Sequence, residues 1–286
     1  MSARPVLGLT AGDPAGIGPE ILAACLADPN LPRNCDYRRT GEVEGHEPGH
    51  PTIASARAAI QAMEEAAELL ASGQIQGIVT GPVAKRSLHE AGFAFPGQTE
   101  FFAARSGTEN FAMCLTGGPL TVGLVTIHIP LREVPRALRT EEIVRVGKLL
   151  QEFLRRRLGR EPRIAVAGLN PHAGEEGRFG DEEQTIITPA VDELAHAGHF
   201  TGPFSPDTVF HRAVRGEFDG VLCMYHDQGL IPLKLLAFET GVNVTLGLPF
   251  PRTSPDHGTA FDLAGTGRAD HRSMLAAIKL AAEMLA

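Results

Sequence analysis

The sequence has no tryptophan, two tyrosines and four cysteines in 286 residues. Cys25, Cys35, Cys114 and Cys223 stand far apart with no Cys-x-x-Cys pair. That spacing excludes a cysteine-type zinc module and leaves no disulfide framework, so buried free thiols in a reducing cytosol are expected. No apolar run reaches the ~18 residues of a membrane-spanning helix, and MSARPVLGLTAGD lacks the basic-then-apolar order of a signal peptide. A cytoplasmic protein with no membrane partner is expected. Positive charge is scarce, 26 Lys and Arg against 34 Asp and Glu, for a formal net charge of −8. Such a chain cannot neutralise phosphates over its whole surface, which argues against nucleic acid as a partner but leaves room for a local cationic pocket. Hydrophobic residues at 43% and charged residues at 21% exclude whole-chain disorder, collagen and coiled coil.

Two familiar signatures are also missing, the dinucleotide-binding GxGxxG and the Walker loop. His46-Glu47-Pro48-Gly49-His50 spells HExxH, but a zinc protease needs that motif on a helix, and Pro48 and Gly49 oppose one. The match is read as accidental. Gly12-Asp13-Pro14-Ala15-Gly16-Ile17-Gly18 admits two readings, an anion-binding helix start or simply a tight turn.

What the chain does have is alternation. Short β-branched apolar runs predict strands at Val6–Thr10, Ile75–Thr80, Phe111–Leu115, Val122–Ile127, Ile164–Leu169, Val221–Tyr225 and Val242–Leu246. Several are continuously apolar, as in sheets covered on both faces. Between them lie helical patterns. Gly18-Pro19-Glu20 reads as a helix start. Ile53, Ala56, Ile60, Met63, Ala67 and Leu70 form one buried stripe that ends at Gly73. Thr140–Leu158, Gln184–Ala197 and Ser273–Leu285 are further helices. The order argues for an α/β protein with a largely parallel sheet. Asp28–Pro51, polar and rich in Pro and Gly, reads as a loop or a truncated unit.

Three histidines fall just past strand ends: His128 in TVGLVTIHIP, His172 in GLNPHAGEEG and His226 in VLCMYHDQG. Sites collect at such ends in open parallel sheets. Each alone is more often structural. Together they raise a shared divalent metal with an open coordination position, with Glu175 and Asp227 placed to orient the rings. Lys85, Lys234 and Arg252 sit in Gly/Pro-rich, otherwise uncharged surroundings, read either as cations aimed at an anion or as snorkelling side chains. Asn243, in an apolar strand, needs a hydrogen-bonding partner. A metal beside fixed cations suits polarising an oxygen of a small anionic substrate. The residues alone do not choose between oxidation and metal-assisted hydrolysis.

GLTAGDPAGIGPEI, IVTGPVAKRSL, FPGQTEFFA, GLNPHAGEEGRFGDEE, SPDTVF, MYHDQGL and VNVTLGLPFPRTSPDHGTAFDLAGTGRAD together resemble the 4-hydroxythreonine-4-phosphate dehydrogenase family of vitamin B6 biosynthesis. The resemblance implies an isocitrate/isopropylmalate-dehydrogenase-like fold of two α/β/α lobes with an active-site cleft. The lobes are expected at 1–95 plus 240–286 and at 96–239, the second carrying most metal ligands and the dimer interface. It implies a homodimer whose sites the partner subunit completes. His128, His172 and His226 match the family's metal ligands, for zinc, magnesium or cobalt. Gln98, Thr99, Lys234, Asn243 and Arg252 match substrate-binding positions, and Asp207 and Lys85 are the catalytic candidates. The cofactor is NAD or NADP, bound without a Rossmann fingerprint. The implied reaction oxidises 4-phosphooxy-L-threonine to a 3-keto acid, which decarboxylates to 3-amino-2-oxopropyl phosphate. Relatives that oxidise another phosphorylated or carboxylated hydroxy acid, and a non-redox metal-dependent hydrolase or transferase on the same scaffold, are the alternatives. Two departures stand out. Gln98 replaces the family's usual histidine, losing a group that can carry charge. The segment Asp28–Pro51 is shorter than usual, which is expected to remove a strand and a helix.

Overall fold

The computed structural model describes residues 4–286. The chain divides into two compact units, one running to Asn110 and resuming over Glu239–Ala286, the other Phe111–Phe238. The first crossing falls at 110/111, not at the expected 95/96. The reason is packing: Phe101 and Phe102, on the helix that starts at Gln98, are buried with Met63, Ile78 and Phe93 in the first unit's core.

In chain order the strands are β1 (Val6–Thr10), β2 (Asp36–Thr40), β3 (Gly77–Thr80), β4 (Ala112–Gly117), β5 (Leu120–Leu124), β6 (Arg163–Ala167), β7 (His199–Phe204), β8 (Gly220–Cys223), β9 (Val242–Leu246) and β10 (Arg252–Pro255). The helices are α1 (Gly18–Ala27), α2 (Ile53–Ala71), α3 (Lys85–Glu90), α4 (Gln98–Arg105), α5 (Val134–Ala137), α6 (Thr140–Leu158), α7 (Thr188–Ala195), α8 (Pro206–Val214), α9 (His226–Ala237) and α10 (Arg272–Met284). The first unit orders its strands β2-β1-β3-β10-β9, parallel except for β10 against β9. The second orders them β4-β5-β8-β6-β7, parallel except for the β4–β5 hairpin.

Local chemistry explains the main elements. Thr52 and Ser55 exchange side-chain-to-backbone hydrogen bonds, both 3.1 Å, and so cap the start of α2. That helix buries Ala56, Ala59, Met63 and Ala66, and the chain turns left-handed at Gly73. The core of the second unit gathers Val122, Leu124, Ala165, Val221, Leu230 and Leu233. All four cysteines are buried free thiols. Burial raises the Cys114 thiol to about 12, so it stays unreactive.

Asp28–Pro51 is not all loop. It contains β2, which pairs with β1 along its whole length. The strand was hidden because DYRRT is polar on both faces and lies at the edge of its sheet. His46–His50 forms no helix, which removes the protease geometry. The helix expected at Gln184–Ala197 is split into a π-helical turn, Glu183–Ile187, followed by α7. Among the described residues no helix is long and apolar enough to cross a membrane.

Candidate active site

In the second unit β5, β8, β6 and β7 are successive parallel neighbours, so their C-terminal ends share one edge. His128 follows β5, His226 follows β8, His172 follows β6 and Asp207 follows β7. The segment that carries His128 is tied to the end of β8. The Val125 N–H donates to the Cys223 carbonyl (2.9 Å), and the Thr126 N–H and hydroxyl donate to the Met224 carbonyl (3.2 and 2.7 Å). The His128 and His226 rings therefore face each other at 5.4 Å between centroids. His226 opens α9 and donates from Nδ1 to Asp227 Oδ1 at 2.7 Å. That bond orients the ring and leaves Nε2 as the nitrogen not engaged by Asp227.

Two buried polar residues that the sequence reading passed over shape this edge. Gln228 accepts from the Met224 N–H and donates to the Gly168 carbonyl, both at 2.7 Å, joining the ends of β8 and β6. Glu183 holds the loop that follows β6. Their signal was a polar residue next to apolar ones, in MYHDQGL and GDEEQTII, which on its own does not separate a buried polar group from a surface one.

His172 lies in an unusual backbone. Residues 172–176 all have positive φ, between 42° and 80°, and His128 has φ 50°. A left-handed residue other than glycine costs about 1–2 kcal/mol, and such strain persists where the surroundings over-determine it, often at functional sites. Asp207, exposed at the start of α8, accepts a hydrogen bond from the Ser205 hydroxyl. That bond holds its carboxyl below the usual range, with the charge of His172 a smaller contribution. Lys234 is half-buried on α9.

The donor chemistry suits a divalent ion, since imidazole nitrogens are good ligands for zinc and its neighbours. The number of donors in one chain is short. Among the described residues no three His, Cys, Asp or Glu side chains are gathered closely enough to hold one ion. His128 and His226 are brought together. His172 instead stands beside Phe179, with ring centroids 6.2 Å apart.

The first unit builds a different feature. Arg252, at the start of β10, is only 3% exposed. Its Nη1 donates to the Thr99 and Thr245 hydroxyls (both 3.1 Å) and its Nη2 to the Thr80 hydroxyl (2.7 Å). Its Nε has no hydrogen-bond partner, and neither do the buried Gln98 Oε1 and Asn243 Oδ1. Among the described residues no carboxylate pairs with Arg252, and burial pushes its pKa down to about 10, Glu100 opposing weakly. Gln98 and Thr99 occupy the first turn of α4, where backbone N–H groups favour an anion. Gln98 Nε2 donates to the Gly81 carbonyl at 3.0 Å. Lys85 is exposed at the start of α3, with its Nζ about 4 Å from where a side chain on Gly97 would begin (3.8 Å). A buried cation held only by hydroxyls, with its Nε donor left unpaired, has the geometry of an anion cradle.

The Gly12–Gly18 segment proves to be a tight turn. The N–H groups of Asp13, Gly16 and Ile17 are taken by Pro82, Asp13 and Thr259 carbonyls. Gly12 (φ 77°) and Gly18 lie against Pro82 and Ala11, leaving no room for a Cβ.

The model of the pyridoxal phosphate biosynthetic protein PdxA matches residues 24–281. The chain belongs to the PdxA family. A PdxA relative from Geobacter metallireducens, named 4-hydroxythreonine-4-phosphate dehydrogenase, is 45% identical over 324 residues, covering 98% of this chain and 96% of that one. An aligned span longer than this chain's 286 residues means that the relative carries segments this chain lacks. The crystal structure of 4-hydroxythreonine-4-phosphate dehydrogenase from Klebsiella pneumoniae superimposes with a TM-score of 0.86 at 40% identity, covering 99% of this chain and 100% of that one. A terephthalate 1,2-cis-dihydrodiol dehydrogenase from Burkholderia xenovorans gives 0.70 at 27% identity, covering 98% of both chains. Isocitrate dehydrogenase from Methylococcus capsulatus, 15% identical with a TM-score of 0.56 over 95% of this chain and 83% of that one, shares the fold alone. PdxA-family membership and the isocitrate-dehydrogenase-like fold thus agree with the motifs.

Proposed function

We propose that this chain is a divalent-metal- and NAD(P)-dependent dehydrogenase acting on 4-phosphooxy-L-threonine. The observation that carries the reading is the near full-length likeness to proteins named 4-hydroxythreonine-4-phosphate dehydrogenase. The two features described above supply what such a substrate needs. Arg252, Thr99 and the first turn of α4 receive an anionic group, with Lys85 adding positive charge. The amides of Gln98 and Asn243 bind other polar groups of the substrate, and Lys234 is a further substrate-binding candidate on α9. His128, His172 and His226 are the residues that would hold a divalent ion such as zinc, magnesium or cobalt. A bound ion would supply Lewis-acid polarisation of the alcohol oxygen, and a bound nicotinamide would supply the hydride acceptor. The C3–H bond breaks with its electron pair, the hydroxyl loses its proton and a ketone forms. The bond to the neighbouring carboxylate then breaks, carbon dioxide leaves, and the enol carbon takes a proton to give 3-amino-2-oxopropyl phosphate.

Asp227 fixes the His226 ring through Nδ1. Asp207, a weak base because Ser205 holds its carboxylate, orients a neighbouring group rather than taking a proton at neutral pH. A homodimer completes the donor set, since one chain gathers too few donors. Buried free thiols fit a reducing cytoplasm.

The likeness to the dihydrodiol dehydrogenase, with Gln98 at a position where the family usually carries histidine, favours a second reading, oxidation of a cyclic diol carboxylate. A panel of both substrates with both nucleotides, followed by absorbance of the reduced nicotinamide, separates the two. Turnover of the phosphorylated threonine by the wild type supports the first reading, and higher turnover in Gln98→His would show that Gln98 marks a specificity change. Exclusive turnover of the diol supports the second, and product release without nucleotide rejects both.

A further inference from the structure

We propose that Glu183 is a positioning residue for His172: a buried carboxylate that clamps the loop after β6 into its left-handed turn. This rests on the reading that His172 serves the reaction. Glu183 is only 3% exposed and is the first residue of the π-helical turn Glu183–Ile187, a rare geometry often found at functional sites. Its Oε1 accepts from the backbone N–H groups of Leu169 and Asn170, both at 2.7 Å. Its Oε2 accepts from Asn170 Nδ2 at 2.9 Å, and the same Nδ2 donates to Glu182 Oε2 at 2.7 Å. These bonds fix the two residues immediately before Pro171 and His172.

The clamp also closes on the far side of the loop. A side chain on Gly174 would begin 2.7 Å from Glu183 Oε2, and one on Gly168 would begin 3.1 Å from Oε1. The loop therefore wraps the carboxylate at Gly168, at the 169–170 peptide and at Gly174, with His172 carried between. Five successive positive φ values need such external restraint, because the local backbone opposes them. Gln228 anchors Gly168 from the other side, through its carbonyl. A carboxylate accepting several N–H bonds is stronger than a neutral acceptor in the same place, so charge on Glu183 is part of the clamp.

The test uses the full-length protein as Glu183→Gln, Glu183→Ala and His172→Ala. Each is followed by far-UV circular dichroism, by amide hydrogen exchange over residues 168–177, by calorimetric titration with zinc chloride, and by steady-state turnover. In Glu183→Gln, exchange over 168–177 is expected to accelerate at least ~10-fold with the rest of the chain unchanged. Zinc affinity is expected to fall about 10–100-fold, the range for partners that orient ligands. The kcat, normalised to the folded fraction read by circular dichroism, should fall while KM for the phosphorylated substrate moves little, and that normalisation removes the effect of a general loss of stability. A folded Glu183→Ala protein with wild-type loop protection, or with wild-type zinc affinity while His172→Ala loses it, overturns the inference. So does a Glu183→Gln protein that fails to fold, since the role would then be global stability. If His172→Ala itself keeps zinc affinity and turnover, the reading of His172 as a ligand fails, and loop exchange alone then decides whether Glu183 holds the turn.

Discussion

A guanidinium buried without a carboxylate is unfavourable unless something else compensates it. Arg252 is compensated by three threonine hydroxyls, which are weaker partners than a charge. The protein thus keeps a charged side chain whose full stabilisation waits for a ligand. This yields a prediction with opposite signs for stability and binding. Arg252→Met keeps similar volume and removes the desolvated charge, so the ligand-free variant should melt at or slightly above the wild-type temperature. Inorganic phosphate should raise the wild-type melting temperature and leave the variant's unchanged. Affinity for the phosphorylated substrate should drop at least ~100-fold, as when one member of a buried charge pair is removed. A variant that melts far lower, or that still responds to phosphate, would show that Arg252 is structural.

Elements carry a different kind of information. Asp219, just before β8, accepts from Arg160 Nη1 and Nη2 (2.9 and 2.6 Å) and from the backbone N–H of Arg163 (2.8 Å), joining the turn after α6 to the starts of β6 and β8. Desolvation acts to raise its carboxyl, but the hydrogen bonds from Arg160 and Arg163 win and hold it far below the usual range. A depressed carboxyl contributes stability above its unfolded value, ~3.9, and loses it as pH falls toward the folded value. Because both arginines are about half exposed, solvent screening keeps their contribution modest at neutral pH. Asp219→Asn should therefore melt lower than wild type at pH 7, with the gap starting to narrow below about pH 5 and still narrowing below pH 3, toward the folded value. A gap independent of pH would refute the assignment. The same scale shows what could be read beforehand. β1, β9, α2 and α6 were legible because a continuous apolar run or a helical stripe marks burial directly. β2 was not, because DYRRT has no apolar face, and β10 was not, because RTSP places a proline and a buried arginine where an apolar pair would have signalled a strand. α9 was masked by Gly229 and Pro232 inside it. The placement of the three histidines after strand ends was legible. The left-handed loop and the Glu183 clamp were not, since both depend on backbone geometry that no spacing encodes.

At the scale of the whole molecule the question is what covers α9. Ile231, Leu235 and Phe238 lie four and three residues apart, on one stripe, and are 67%, 85% and 72% exposed. Three large apolar side chains in water are a surface awaiting a partner, and burying each would contribute ~1.5–3 kcal/mol. A second copy of this chain is the partner that the proposed shared site calls for, and a two-fold axis lets one stripe meet its own equivalent. His226 opens the same helix that carries the stripe, so pairing along α9 links assembly to the imidazole pair. The double variant Leu235→Glu with Phe238→Glu changes only exposed positions and should keep its circular dichroism spectrum. Light scattering should find it monomeric where wild type is dimeric. If the proposed shared site holds, turnover should fall at least ~10-fold and recover little with added zinc, since the missing donor would come from the other chain. A monomer with wild-type turnover would mean that one chain holds every group the reaction needs, and the third ligand would then have to be sought among the residues of a single protomer.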